Sequence, residues 1–263
     1  MKISTINIAG KAALGWAGDY SISENMAMII VQEESKGLLN FSTYKQEFEK
    51  RINTDSRERI FQDLIILPFL TELLRGYDVI PTDQRTSAQK SHATKQYCGS
   101  TNPDLCIAKN WHWFNNEHSV IYMSVVEIKS PLNKTDRITG VNPGDYNQEL
   151  KAQIQTYALA ENNKKLILTD GLTWVFYTFE KDLNGNPRAE PAENFDRINL
   201  GSIKTFENGE YCINWLSGTP ITAVDDEVIR DMFDGPLPPI EKDPKVFTKL
   251  KRQILEFIEN EVG

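Results

Sequence analysis

SVVEIKSP, residues 124–131, is the stretch on which the reading of this chain turns. Residues 119–129 carry Val120, Ile121, Val125, Val126 and Ile128, a β-branched run that predicts a long strand. Successive side chains of a strand point to opposite faces, so Glu127 and Lys129 share one face and Ile128 takes the other, buried one. Charged groups on so apolar a strand cost free energy unless they line a cleft or reach solvent. Taken alone, the two could be an exposed ion pair.

Upstream, Pro103 to Ala108 carries Leu105 and Ile107 and predicts a second strand, with Asp104 at its start. Residues 109–118 (KNWHWFNNEH) read as a hairpin turn between the two. If the strands pair antiparallel, Asp104 lies beside Glu127, and two carboxylates and one ammonium converge. Asp104 could equally do no more than begin its strand. Phosphodiester hydrolysis needs the phosphate charge neutralised, a water activated and the leaving oxygen stabilised. A divalent cation held by two carboxylates, with a backbone carbonyl such as that of Ile128 as a further ligand, can do all three. A nearby ammonium stabilises developing charge or orients the water.

Further out, residues 131–145 read as a loop, marked by Pro131, Asn133, Gly140, Pro143 and Gly144. Residues 146–162 read as a helix, on which Gln153 and Tyr157, four apart, share a face. Leu166 to Leu168 reads as a short buried strand, Asp170-Gly171 as a turn and Trp174 to Phe179 as another strand. On the N-terminal side, residues 56–75 place Ile60, Phe61, Leu64, Ile65, Leu67, Leu70, Leu73 and Leu74 at helical spacing. Asp55 and Glu58 form a capping-box pattern, Pro68 predicts a bend and Gly76 an end. Tyr77 to Pro81 reads as a strand and residues 41–53 as a polar helix. The order helix, three strands, helix, two strands predicts an α/β fold, a mixed β-sheet flanked by helices. Beyond residue 181 the pattern weakens, with a turn at Asn184-Gly185 and an irregular stretch at 217–240. A last amphipathic helix follows, capped by Asp243, with Pro244 in its first turn and Phe247, Leu250, Ile254 and Phe257 on one face. The expected organisation is an N-terminal extension (1–54), a core (55–180) and a C-terminal extension (181–263).

Pro103-Asp104 followed by Glu127-x-Lys129 resembles the PD-(D/E)xK, or restriction endonuclease-like, nuclease superfamily. QIQTY at 153–157 resembles the Q-x-x-x-Y motif of its exonuclease-like branch. Residues 57–77 and 166–177 resemble the helix before the nuclease core, and the strand-turn-strand after it, in the motor subunits of type I restriction enzymes. The resemblance covers roughly residues 55–180. It implies a restriction endonuclease-like fold and hydrolysis of DNA with Mg²⁺ or Mn²⁺ held by Asp104 and Glu127. It further implies that Lys129 assists the water or the developing charge, that Gln153 and Tyr157 face the cleft, and that Glu58 joins the metal site. Glu58 in a capping box, a solvated Gln153 and a core-edge Tyr157 are the purely structural alternatives. No G-x-x-x-x-G-K-[ST] loop occurs, so an ATP-driven motor is not expected. The chain would be a free-standing nuclease, a homodimer for double-strand cleavage, or a subunit with a companion. RNA is a second substrate class. A catalytically inactive module of the same fold, binding nucleic acid or a protein partner in a phage or anti-phage system, is the alternative from another class.

The formal net charge of -8 excludes nucleic-acid binding through bulk positive charge. Phosphate contacts must then be local, and Arg85, Lys90 and Lys95 in the polar stretch 82–101, with Lys134 and Arg137 after the E-x-K strand, are the candidates. Solvated loops would explain them as well. Three cysteines, Cys98, Cys106 and Cys212, with no C-x-x-C pair fit a reducing cytoplasm better than a disulfide framework. With His112 and His118 they match no compact zinc spacing. Trp111, Trp113 and Phe114 could stack on bases or simply pack. No signal peptide and no apolar run of membrane-spanning length is seen.

Overall fold

The computed structural model describes residues 37–82, 97–98, 102–111, 120–133, 135, 137–206, 209–216 and 243–260. Strands β1 (Asp78–Pro81), β2 (Leu105–Lys109), β3 (Ile121–Ile128), β4 (Lys165–Thr169), β5 (Thr173–Lys181) and β6 (Pro187–Pro191) lie side by side in that order. β7 (Ile198–Asn199) also pairs with β5. All pairings are antiparallel except β3 with β4. A parallel pair needs a crossover. Helix α3 (Gln148–Tyr157) lies on it. β8 (Gly201–Thr205) and β9 (Tyr211–Trp215) form a separate hairpin.

Helix α1 (Phe41–Thr54) buries Tyr44, Phe48 and Ile52 at four-residue steps, and the Asn40 side chain caps it by accepting from the Thr43 N–H. Helix α2 is continuous through an α-helical turn Glu58–Phe61, a π-helical segment Gln62–Ile66 and an α-helical segment Leu67–Leu73. Pro68 has no N–H for the Leu64 carbonyl, and the turn before it widens instead of continuing as regular α-helix. Gly76 (φ +100) ends the element in a left-handed conformation that L side chains avoid. Helix α4 spans Lys245–Glu259.

The period-two alternation of the strands sorts their side chains into two cores. Leu105, Ile107, Val126, Ile128, Ile167, Trp174 and Phe176 face α1, α2 and α4. Cys106, Ala108, Val125, Leu166, Leu168, Val175 and Tyr177 face Leu150, Ile154 and Tyr157 of α3. Each fully buried Leu, Ile or Phe contributes about 1.5–3 kcal/mol, so both faces of the sheet need a helical cover. The stretches 1–54 and 181–263 supply α1 and α4, which pack in the same core as the sheet. The prolines at both ends of β6 and at the end of β1 remove donors from the two sheet edges.

Two expected caps are not formed. Asp55 ends α1, and its carboxylate binds the Arg57 guanidinium (2.6 and 2.9 Å) instead of closing a box with Glu58. The Arg57 N–H donates to Asp55 Oδ1 as well, at 3.2 Å, so residue 57 takes both the charge and a backbone bond. Asp243 does not cap α4 either; Pro244 occupies that position without a side-chain bond. Asp243 accepts from the Phe41 N–H (2.7 Å), 202 residues away, and from Lys251 Nζ (2.5 Å). The predicted helix 146–162 is shorter, because Asn147 caps it by accepting from the Leu150 N–H (2.8 Å) and Ala158 ends it. β6, β7, β8 and β9 lie beyond residue 181, where the sequence pattern is too weak to predict strands. Residues 22–35, with Met26, Met28, Ile29, Ile30 and Val31, which read as a short strand or helix, and the irregular stretch 217–240 fall outside the described residues.

Candidate active site

β2 and β3 pair antiparallel with Cys106 opposite Val125 and Leu105 opposite Val126. One further step along this register sets Asp104 opposite Glu127. Asp104 precedes Leu105 and so falls on the same face as Cys106 and Ala108; Glu127 falls on the face of Val125. Both carboxylates therefore point to the α3 side of the sheet. The Ile128 N–H donates to Asp104 Oδ2 at 2.7 Å and locks the end of the ladder. Thr82, which no sequence signal marks, holds the same corner: its N–H donates to the Asp104 carbonyl at 3.2 Å and its hydroxyl to the Pro103 carbonyl.

Glu127 is 3% exposed and Lys129 8%, so the exposed ion pair of the simple alternative is excluded. Lys129 Nζ donates to Glu127 Oε1 at 2.6 Å and to Gln153 Oε1 at 3.2 Å. Gln153 Nε2 donates to Glu127 Oε1 at 2.7 Å and to the Tyr157 hydroxyl oxygen at 2.9 Å. The Tyr157 hydroxyl in turn donates to Glu127 Oε2. Positions 153 and 157 lie one helical turn apart on α3, which is how one helix reaches both oxygens of one carboxylate. Lys129 follows the last residue of β3, and its backbone N–H still bonds the Thr169 carbonyl of β4 at 2.8 Å, so the strand's geometry extends to it.

The charges act on one another at short range. Burial pushes the Asp104 carboxyl well above the usual carboxylate range, and the Glu127 charge adds to this. The Ile128 N–H and Lys129 oppose the rise, and Glu58 reinforces it. Burial disfavours the Lys129 ammonium, but Glu127, Glu58 and Asp104 outweigh it, so its pKa is raised and it stays charged at neutral pH. The Tyr157 phenol is held well above its ordinary value, first by burial and then by Glu127, so it remains a hydrogen-bond donor.

The ligand atoms on offer are all oxygens, the set a hard divalent cation takes. Asp104 Oδ1 receives no hydrogen bond among the described residues, and Glu127 Oε2 receives one, so each keeps a lone pair for an ion. A buried carboxyl that a neighbouring carboxylate holds above its usual range is a place where a cation relieves repulsion. The residues thus fit Mg²⁺ or Mn²⁺. Among the described residues no group of three or more His, Cys, Asp or Glu is gathered closely enough to hold an ion together. Glu58 bears on Asp104 and Lys129 electrostatically from the start of α2 without joining such a group. The side chain of Ile128 is buried on the far face, so only its carbonyl could serve as a ligand.

No protein family, no curated protein and no solved structure matches this chain. The site has to be read from its own geometry.

The nucleic-acid candidates are less closely placed. Arg137 is exposed on the loop after β3. Arg85, Lys90, Lys95 and Lys134 lie outside the described residues, as do His112, His118, Trp113 and Phe114. Trp111 packs edge-on against Tyr97 (6.3 Å) and Tyr122 (6.4 Å) instead of standing free for a base. Cys98 and Cys106 are buried thiols in the core under α3. An open cleft of about 430 Å³, lined among others by Asn142, Lys151, Gln155 and Arg188, lies on the other flank of α3. Among the described residues no helix is long and apolar enough to cross a membrane.

Proposed function

We propose that this chain is a metal-dependent nuclease of the PD-(D/E)xK type that hydrolyses phosphodiester bonds in DNA. The observation that carries the reading is the placement of Asp104 opposite Glu127 at the end of two antiparallel strands, with Lys129 on the Glu127 carboxylate. The mixed sheet, with α2 before its first three strands and α3 on the crossover into β4, is compatible with a restriction endonuclease-like fold.

Asp104 and Glu127 would hold the ion, with the Ile128 carbonyl in reach as a further ligand. The bound ion supplies neutralisation of the phosphate charge and a more acidic water. Gln153 and Tyr157 fix the rotamer of Glu127, so that its carboxylate does not have to reorganise when substrate arrives. Lys129 brings a permanent positive charge, available to the phosphate once it exchanges its bond to Glu127. A second reading, a non-catalytic module of the same fold, is favoured by one specific observation: Lys129, Gln153 and Tyr157 already satisfy Glu127 without a cation.

Nicking of supercoiled plasmid with Mg²⁺, Mn²⁺ or EDTA separates the two, with RNA run in parallel. Cleavage that requires the metal and is lost in Lys129→Ala is the expected result. Absence of cleavage in both metals would reject the enzyme, and cleavage that persists in EDTA would reject its dependence on a metal.

A further inference from the structure

Thr82 directly follows β1 and is fully buried. Pro81 pairs with Leu105, so one more step of the β1–β2 register sets Thr82 opposite Asp104. Its N–H donates to the Asp104 carbonyl at 3.2 Å, and its hydroxyl donates to the Pro103 carbonyl. These two carbonyls belong to the two peptide planes that meet at the Asp104 Cα. A residue has two soft backbone dihedrals, one toward each plane. Holding both planes therefore fixes φ and ψ of Asp104, and with them the direction in which its side chain leaves the backbone. Pro81 and Pro103 have no N–H to give at this corner, and the hydroxyl supplies a donor that the main chain lacks. On the opposite side the Ile128 N–H of β3 takes Asp104 Oδ2 at 2.7 Å. Asp104 is thus gripped from both neighbouring strands, by its backbone from β1 and by one carboxylate oxygen from β3.

We propose that Thr82 is a positioning residue: by clamping both peptide planes of Asp104 it fixes the direction of the carboxylate that, with Glu127, would hold the divalent cation. The inference rests on the metal-dependent reading above. The Thr82 hydroxyl is buried and turned to the Pro103 carbonyl, so the residue acts through Asp104 and is not itself a ligand. Groups behind the ligands hold them in their binding geometry, and their loss weakens the metal without removing a donor atom. Threonine suits the role because its branched Cβ restricts χ1 and keeps the hydroxyl aimed.

Mn²⁺ binding to the full chain, measured by calorimetry together with the melting temperature of each variant, tests this. Thr82→Val keeps the shape and the N–H but loses the hydroxyl, and it should weaken Mn²⁺ roughly tenfold. Thr82→Ser keeps the hydroxyl and should bind within about twofold of the unaltered chain. Thr82→Ala takes the place of the valine variant if that one does not fold. Lys165→Met removes buried hydrogen bonds to the end of α4; it should lower the melting temperature and leave Mn²⁺ affinity unchanged. In the metal-free protein, amide exchange at Ile128 should quicken in Thr82→Val and not in Thr82→Ser, because a loosened Asp104 releases that N–H. Equal Mn²⁺ affinity in the Val and Ser variants, or a loss in Lys165→Met as large as that in Thr82→Val, overturns the positioning role and leaves the metal site standing. An unaltered chain that takes up no Mn²⁺ removes the metal-dependent reading itself, and this role with it.

Discussion

Replacing Lys129 with methionine keeps most of the side chain's length and removes its charge. Glu127 is then left as a carboxylate at 3% exposure, with Gln153 and Tyr157 as its remaining side-chain donors. Breaking one half of a buried ion pair costs about 3–5 kcal/mol, because the partner's charge stays behind without compensation. At about 2–4 °C per kcal/mol for a chain of this size, melting should fall on the order of 10 °C. Glu127→Gln in the same background removes the orphaned charge, and the double variant should regain most of that loss. Urea unfolding followed by tryptophan fluorescence, to which buried Trp174 contributes, gives all four corners of the cycle, with a coupling energy of about 2–3 kcal/mol expected. A Lys129→Met protein within about 1 kcal/mol of the unaltered chain, or a double variant no better than the single, would refute the idea that Lys129 balances Glu127.

Asp170 accepts from the Leu172 and Thr173 N–H groups at 2.9 and 2.6 Å, and burial pushes its pKa up to about 6. Its folded pKa lies above the unfolded one, so its contribution to stability is full below about pH 4 and is lost as pH rises through 6. Asp170→Asn keeps the accepting oxygen. Relative to the unaltered chain it should gain about 3 kcal/mol between pH 4 and pH 7, and parallel pH dependence of the two unfolding curves would contradict this. Lys165 is buried under the C-terminal end of α4, where its ammonium donates to the carbonyls of Phe257 (2.5 Å), Ile258 (3.3 Å) and Asn260. Lys165→Met should cost about 1–3 kcal/mol and strip hydrogen-exchange protection from the last turn of α4, while α3 keeps its own.

The two halves of the candidate site were legible to different degrees. The E-x-K strand announces itself through Val125, Val126 and Ile128, since β-branched residues in alternation leave few other conformations. The shared face of Gln153 and Tyr157 follows from helical spacing alone. Glu58 was legible only as a position near the start of a helix. Which of its structural settings it takes depended on Asp55 choosing Arg57 over a helix N–H, a competition among neighbours that no pattern encodes. β6 (PRAEP) and β8 (GSIKT) escape reading because edge strands need not bury a continuous face, so their apolar alternation is thin.

Period and propensity belong to the local chain, and they alone determined the α/β class, the long strand through residue 128 and the common face of Glu127 and Lys129. Register belongs to pairs of strands. Only the ladder of β2 against β3 decided that Asp104 stands opposite Glu127, because shifting it by one residue would turn every side chain to the other face. Contacts such as Ser130 with Ser56, Asp243 with Phe41 and Lys165 with the end of α4 join segments far apart in sequence. The energies that select them arise from burial and packing that exist only once the sheet is covered.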